Sequence, residues 1–359
     1  MAGPLNGLAI IEMAGLGPGP FAAMMLADHG VDVIRVERAG MIGVPNDPLL
    51  RNRRSIALDL KREDHREVVR RLAAKSDGLI EGYRPGVMER LGLGPEQLRA
   101  TNPKLVYGRV TGWGQNGPLA AEAGHDINYL ALTGLLHAMG EPDRPPRPPM
   151  NLVADYAGGG MMLAFGMVAA LLDVQRGGRG QVIDAAMTDG AALTGALIYG
   201  LKAAGAWHGG RGGNLLDGGD PLYACYECGD GRFIALGAIE PQFRAALLGA
   251  LGLAEASHDA VAAILKTRPR DAWIDHFSGL DACVASVLDM DEAPDHPHNI
   301  ARRTFAEIGG VVQPTPAPRF DEAAELPRAP RHAGEDGAEI LASLGYSQAE
   351  IESLMKAHP

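Results

Sequence analysis

Short apolar runs alternate with amphipathic segments over the first 111 residues, and this alternation constrains the fold more than any other feature. Residues 8–12, 31–36, 56–58, 78–81 and 105–111 have strand character, while 21–29 and 63–75 carry helical spacing. Strands separated by helices pair in parallel, because a parallel partner is reached only through a crossover. An α/β, Rossmann-like unit is therefore expected. Residues 129 to about 201 are expected to be mostly helical, with a strand at 182–185. A glycine-rich segment, GGRGGNLLDGGD, follows. Next, 222–227 and 233–237 flank Gly229-Asp230-Gly231, a hairpin signal. Helices are expected near 241–251 and 269–277, a proline-rich stretch QPTPAPRF at 313–320, and a last helical pattern over 337–356. The expected organisation is a large domain at 1–190 joined by 325–359, a linker at 191–214, and a smaller α+β domain with its return linker at 215–324.

A chain of 359 residues with 46% hydrophobic residues supplies sizeable cores, built mainly from aliphatic side chains since only 5% are aromatic. A net charge of -11 argues against a nucleic-acid partner. Three cysteines do not make a disulfide framework and suit a reducing compartment. MAGPLNGLAIIEM lacks the basic start of a signal peptide. The apolar run 157–172 falls short of the roughly 20 residues a membrane span needs and is expected to be a buried core helix. A cytoplasmic protein with no membrane partner is expected.

Two motifs resemble familiar sites and fail on detail. Gly15-Leu16-Gly17-Pro18-Gly19-Pro20 lies between strand and helix, with Glu37 ending the next strand. A dinucleotide fingerprint would need glycine where Pro20 stands, and Pro18 removes a donor, so a turn feeding a helix is the better reading. Cys225 and Cys228 have metal-ligand spacing but lie in a strand, where residues three apart point to opposite faces. No metal is expected there.

Arginines concentrate where the α/β unit should bind ligands. Arg35 and Arg38 end one strand, and Arg51, Arg53 and Arg54 precede another, with Lys61 and Arg62 after it. Tyr83 and Arg84 end a third strand, and Arg90 follows. Ligands of open α/β sheets sit at the carboxyl ends of strands, and the guanidinium fork suits phosphates. Within an acidic chain this cluster points to a small polyanion. Candidate proton-transfer groups are His125 and Asp126 before one helix, Asp155 at the start of the apolar run, and Glu240 before another helix. Taken singly, each also fits an ordinary capping role.

In combination, LNGLAIIEMAGLGPGPFAAMMLADHGVDVIRVER, RNRRSIALDLK, RVTGWGQNGPLAAEAGHDINYLALTG, NLVADYAGGGM and LLDGGDPLYACYECGDGRFIALGAIEPQF resemble the family III CoA-transferases. The resemblance runs in order over most of the chain. It is strongest to the family's α-methylacyl-CoA racemase branch and its mycobacterial members. It implies a Rossmann-like large domain and a small domain in an interlocked homodimer. It also implies that Arg35, Arg38, Arg51, Gly82, Tyr83, Arg84 and Arg90 hold the CoA moiety. His125 and Asp155 are then the proton-transfer pair, supported by Asp126 and by Glu240 from the partner's small domain. CoA belongs to the substrate, and no cofactor or metal is implied. Asp220 departs from the pattern, standing in LDGGDPLY where a small apolar residue is expected, which bears on the acyl pocket. The segment after Gly252 is shorter than is usual in the branch.

The implied chemistry interconverts (R)- and (S)-2-methylacyl-CoA. A proton leaves the carbon next to the thioester, and the enolate is reprotonated on its other face. Two groups sharing one proton suffice, with Glu240 orienting the imidazole and the Asp126 amide donating to the enolate oxygen. CoA transfer between carboxylic acids is the competing activity. It would use Asp155 as a nucleophile forming a mixed anhydride, and it has no need of His125.

Overall fold

The computed structural model describes residues 3–38, 44, 46–208, 210–321 and 325–356. The ends of the expected large domain and return linker, at 1–2, 322–324 and 357–359, lie outside the described residues. The chain divides into two compact units. One comprises Met1–Thr133, Met150–Thr194 and Arg303–Pro359, and the other Gly134–Pro149 and Gly195–Arg302. The chain thus re-enters the first unit at Arg303, earlier than the expected residue 325, and 134–149 belongs with the second unit.

The first unit is built on a six-stranded sheet of β1 (Ala9–Met13), β2 (Asp32–Glu37), β3 (Arg54–Ala57), β4 (Gly78–Glu81), β5 (Val106–Thr111) and β6 (Val182–Ala186). The order is β3-β2-β1-β4-β5-β6 and every pairing is parallel. This is the doubly wound order expected of alternating strands and helices. Parallel sheets are covered on both faces, and the central strands are accordingly apolar, with Ile10, Ile11, Leu79, Ile80 and Val106 fully or almost fully buried. The C-terminal helices Gly337–Ser343 and Gln348–Met355 place Ile340, Leu341, Ile351 and Leu354 in the same core as Ile11, Ile56 and Leu72.

Two carboxylates interrupt this core, Glu12 of β1 and Glu81 of β4, and Glu81 is met by Arg109 Nε of β5 at 2.8 Å. Glu12 of β1 is fully buried, and its register partner on β2 is Arg35. Arg35 pairs with Glu12 and, at 3.4 Å, with Glu37, while Arg53 Nε lies 2.6 Å from the other Glu12 oxygen. Arg51 is equally committed. It pairs with Asp28 and donates to Gln313 Oε1 at 3.0 Å and to the Pro314 carbonyl at 2.7 Å. Gln313 belongs to a hairpin of Phe305–Ile308 with Val311–Pro314, so Arg51 fastens the returning chain to the sheet. Removing one partner from such a pair leaves an uncompensated buried charge, costing about 3–5 kcal/mol. Arg51→Ala is therefore expected to lower the denaturation midpoint strongly, as chemical unfolding would read.

The apolar run lies in one continuous helical stretch, Leu152–Gln175, π-helical over Leu152–Met161 and α-helical over Met162–Gln175. At 24 residues, with a mean hydropathy of 1.7 over its most apolar 18, it is long and apolar enough to cross a membrane, so shortness does not exclude a span. Nor is it buried all round. Leu163, Met167 and Leu171 face the core, whereas Phe165 is 72% exposed and Met161, Val168 and Leu172 are exposed beside it.

The second unit carries an antiparallel sheet of β7 (Tyr223–Glu227), β8 (Phe233–Gly237) and β9 (Val284–Val287) in that order. Helices Pro241–Leu251, His258–Leu265 and Arg270–Phe277 cover it around a core that includes Leu222, Ile234, Leu247, Val261 and Trp273. The segment after Gly252 holds the helix His258–Leu265.

Candidate active site

His125 is the N-cap of the short helix Asp126–Ala131. Its own N–H donates to Asn128 Oδ1 at 3.0 Å, and its side chain is exposed. Asp126, by contrast, is buried and turned toward another segment. Its Oδ2 accepts from the N–H groups of Ala154 and Asp155, both at 2.8 Å. These are among the donors that the first turn of a helix leaves without an intrahelical partner. Asp126 thus caps the π-helix that carries Asp155 and ties the two candidate proton-transfer groups into one substructure. Asp155 is not the N-cap that its sequence position suggests; Asn151 occupies that place, and Asp155 sits in the first turn.

The Asp155 carboxyl is half-buried, and burial raises its pKa above the ordinary carboxylate range. The charge of Asp126 pushes it the same way. The Asn151 amide, 3.4 Å away, and the neighbouring His125 pull against this without reversing it. Helix position alone would have favoured the anion, and burial wins. Asp126 Oδ1 is buried without a hydrogen-bond partner among the described residues.

Close packing fixes where Asp155 points. Gly17 has φ 69 and precedes the helix Pro18–Asp28. A Cβ on Gly17 would lie 3.2 Å from Asp155 Oδ2, so the turn after β1 forms a wall of the site. The run Gly158-Gly159-Gly160 lets the π-helix touch its neighbours' backbone. A Cβ at Gly158 would come within 2.5 Å of the Ala191 nitrogen, in the helix Met187–Thr194. Tyr129, whose ring lies edge-on to Trp113 with centroids 4.8 Å apart, donates its hydroxyl to the Gly124 carbonyl just before His125. Burial raises the Tyr129 phenol, the charge of Asp155 adds to this, and Arg84 opposes it. Asp155 and Arg84 therefore both stand near Tyr129.

The expected CoA-binding residues separate into two groups. Arg35 and Arg51 are buried, 4% and 3% exposed, and their guanidinium groups are taken by the internal pairs described above. Arg38, Arg84, Arg90 and Gly82 are exposed, and none of these three arginines has a carboxylate partner among the described residues. Arg38 lines a cavity of about 270 Å³ together with Ala14, Leu58, Lys61 and Tyr83. Each of these residues follows the end of a parallel strand, so the cavity lies along the carboxyl edge of the sheet. The loop after β1 joins cavity and carboxylate, since Ala14 lines the first and Gly17 abuts Asp155. Lys61 is an exposed lining cation to which the sequence alone gave no individual role.

In the second unit, Glu240 is the exposed N-cap of Pro241–Leu251, and its side chain makes no capping bond. Asp220 is engaged by protein groups. Its Oδ1 accepts from the Leu222 N–H and its Oδ2 pairs with Arg244 Nη1, both at 2.8 Å. Cys225 of β7 is exposed, and Cys228, one residue past the strand's end rather than within it, is buried. Among the described residues no group of three or more metal-ligating side chains converges.

A parallel sheet with cations and a carboxylate along its carboxyl edge is chemically suited to a small anionic ligand and to acid–base work. The chain belongs to CoA-transferase family III, whose model matches residues 5–336. An α-methylacyl-CoA racemase of Mus musculus is 45% identical over 366 residues, covering 98% of this chain and 96% of its own. Its counterpart from Homo sapiens is 43% identical with the same coverage. The crystal structure of a CaiB/BaiF family protein from Brucella suis is similar at a TM-score of 0.84 and 28% identity, covering 96% of this chain and all of that one.

Proposed function

We propose that the protein is an α-methylacyl-CoA racemase that interconverts (R)- and (S)-2-methylacyl-CoA through an enolate. The observation that carries the reading is the Asp126 bridge, which joins His125 to a carboxyl whose pKa is raised. In one direction neutral His125 removes the proton and protonated Asp155 returns one to the opposite face. In the other direction the charged imidazole is the acid and the Asp155 carboxylate the base. The Asp126 amide at the start of its helix is the donor assigned to the enolate oxygen. Glu240 orients the imidazole. Arg38, Arg84 and Arg90, with Gly82 and Tyr83, take the CoA moiety, and Arg35 and Arg51 hold the scaffold beneath them. The proposed working unit is a cytoplasmic homodimer in which Glu240 acts across the subunit interface. The exposed apolar face of Leu152–Gln175, with Phe165 at its centre, supports association. CoA enters only as part of the substrate, because moving a proton at one carbon requires no electron carrier.

The decisive experiment incubates one enantiomer of a 2-methylacyl-CoA with the protein in deuterated water and follows it by NMR. A parallel tube contains a free carboxylic acid. Deuterium at the 2-position with loss of enantiomeric purity and no new thioester establishes the racemase. A new thioester without deuterium means CoA transfer through an Asp155 anhydride.

Two further results are expected. Arg38→Ala raises KM for CoA esters roughly tenfold with little loss in kcat, since a phosphate contact far from the reacting carbon contributes equally to ground and transition states. An unchanged KM would remove Arg38 from the phosphate site. Asp126→Asn takes a negative charge away from Asp155 and so lowers the carboxyl's pKa. In the direction in which the Asp155 carboxylate is the base, the acid limb of the kcat/KM profile then moves to lower pH, and steady-state rates across pH read the displacement.

A further inference from the structure

We infer that Asp220 and Arg244 are positioning residues that set the Glu240 carboxylate in place, an inference that rests on the supporting role proposed for Glu240. Asp220 occupies a position where the family pattern leads one to expect a small apolar residue lining the acyl pocket. Its contacts point elsewhere. One oxygen closes a turn by accepting from the Leu222 N–H at 2.8 Å, and the other meets Arg244 Nη1 at the same distance. Arg244 stands in the first turn of Pro241–Leu251, its own N–H bonded to the Glu240 carbonyl at 3.0 Å. The same Nη1 reaches the Ala238 carbonyl at 3.4 Å. Ala238 is itself fixed, fully buried, with its N–H donating to the Leu222 carbonyl at 2.9 Å.

Arg244 therefore joins the turn at 220–222 to Ala238, two residues before Glu240. The turn is braced from its other side by the Tyr226 hydroxyl, which donates to the Pro221 carbonyl at 2.7 Å. Glu240 makes no capping bond of its own. Its placement depends on the backbone on either side, with Pro241 fixing one side and the Arg244 bridge the other. Misplacing a group near the chemistry by about 1 Å costs up to 10²-fold in rate.

The test compares Asp220→Asn, Arg244→Gln and Glu240→Gln, and the double variant D220N/E240Q, on 2-methylacyl-CoA esters of several chain lengths. The expected result is a roughly tenfold fall in kcat for D220N and for R244Q, with KM unchanged and no dependence on chain length. D220N adds nothing on the E240Q background, since the two act through one group. The exchanged pair D220R/R244D recovers activity that D220R alone loses, which separates positioning from misfolding. A KM change graded with chain length would overturn the inference and return Asp220 to the acyl pocket. Losses that multiply in the double variant would also overturn it. Full activity in E240Q removes the role of Glu240 and this inference with it. Loss in E240Q with full activity in D220N removes only the part given to Asp220 and Arg244.

Discussion

Asp155→Asn is expected to lower racemisation by roughly 10³-fold, within the range that one acid–base group supplies. The same variant should leave deuterium exchange largely intact for one enantiomer. When the substrate's 2-proton faces His125, the imidazole still removes it, and solvent deuterium returns from that side with retention. When the proton faces residue 155, an amide cannot accept it, and exchange stops. A chiral separation coupled to mass spectrometry reads both quantities in one tube. Equal loss of exchange from both enantiomers would refute opposite-face roles.

Asp155→Asn should also change stability in a defined direction. The folded chain holds the Asp155 proton more tightly than the unfolded chain does, because burial raises the carboxyl. Between the ordinary carboxylate pKa and this raised value the folded state binds more protons. Its stability therefore falls as pH rises through that window. The amide does not titrate, so at neutral pH the variant melts higher than the native protein. The difference disappears as pH falls below the ordinary carboxylate range. Scanning calorimetry at two pH values checks it. A variant that melts lower at neutral pH would show that the charged carboxylate is structurally favourable and that burial does not dominate its environment.

Most strands were legible because each carries its apolar run intact, and Glu63–Lys75, Gly78–Glu81 and Phe233–Gly237 fall where the pattern puts them. The hairpin Phe305–Ile308 with Val311–Pro314 was not, because the prolines beyond Gln313 suggested an irregular linker. β9 is four half-exposed residues and offers no apolar run to read. The last helical pattern divides in two at Ser347, whose hydroxyl and Glu350 form a capping box, a signal present in the sequence. The site separates along the same line. The family resemblance, not residue type, singled out His125 and Asp155, and the bridge between them joins positions 28 and 29 residues apart and depends on tertiary packing. The arginines mislead for a related reason. Arg35 and Arg38 are three residues apart, yet Arg35 lies inside the sheet opposite Glu12 and Arg38 lies beyond the strand's end. A glutamate in the middle of an apolar strand needs a cation, and Glu12 was the sign that part of the cluster would be consumed internally.

His125→Ala is expected to give the complementary outcome to Asp155→Asn. Racemisation falls by a similar roughly 10³-fold factor, because reprotonation on the imidazole's face is lost. Exchange now survives for the enantiomer whose proton faces Asp155 and is lost for the other. For that surviving reaction Asp155 must be ionised, and the neighbouring imidazolium no longer helps to ionise it. Its pKa should therefore rise further, since His125 is one of the two influences that now hold it down. Exchange by the variant should accelerate toward alkaline pH, and its apparent pKa should lie above that of the native protein. The fold should change little, because His125 is exposed and its backbone bond to Asn128 does not involve the imidazole. The opposed selectivity of the two variants is the sharpest discriminator between the two activities of the family. An aspartate that acts as a nucleophile in CoA transfer gives no reason for a neighbouring histidine to govern one hand of the substrate. A His125→Ala protein that exchanged both enantiomers alike, or neither at any pH, would move the chemistry away from the Asp126 bridge.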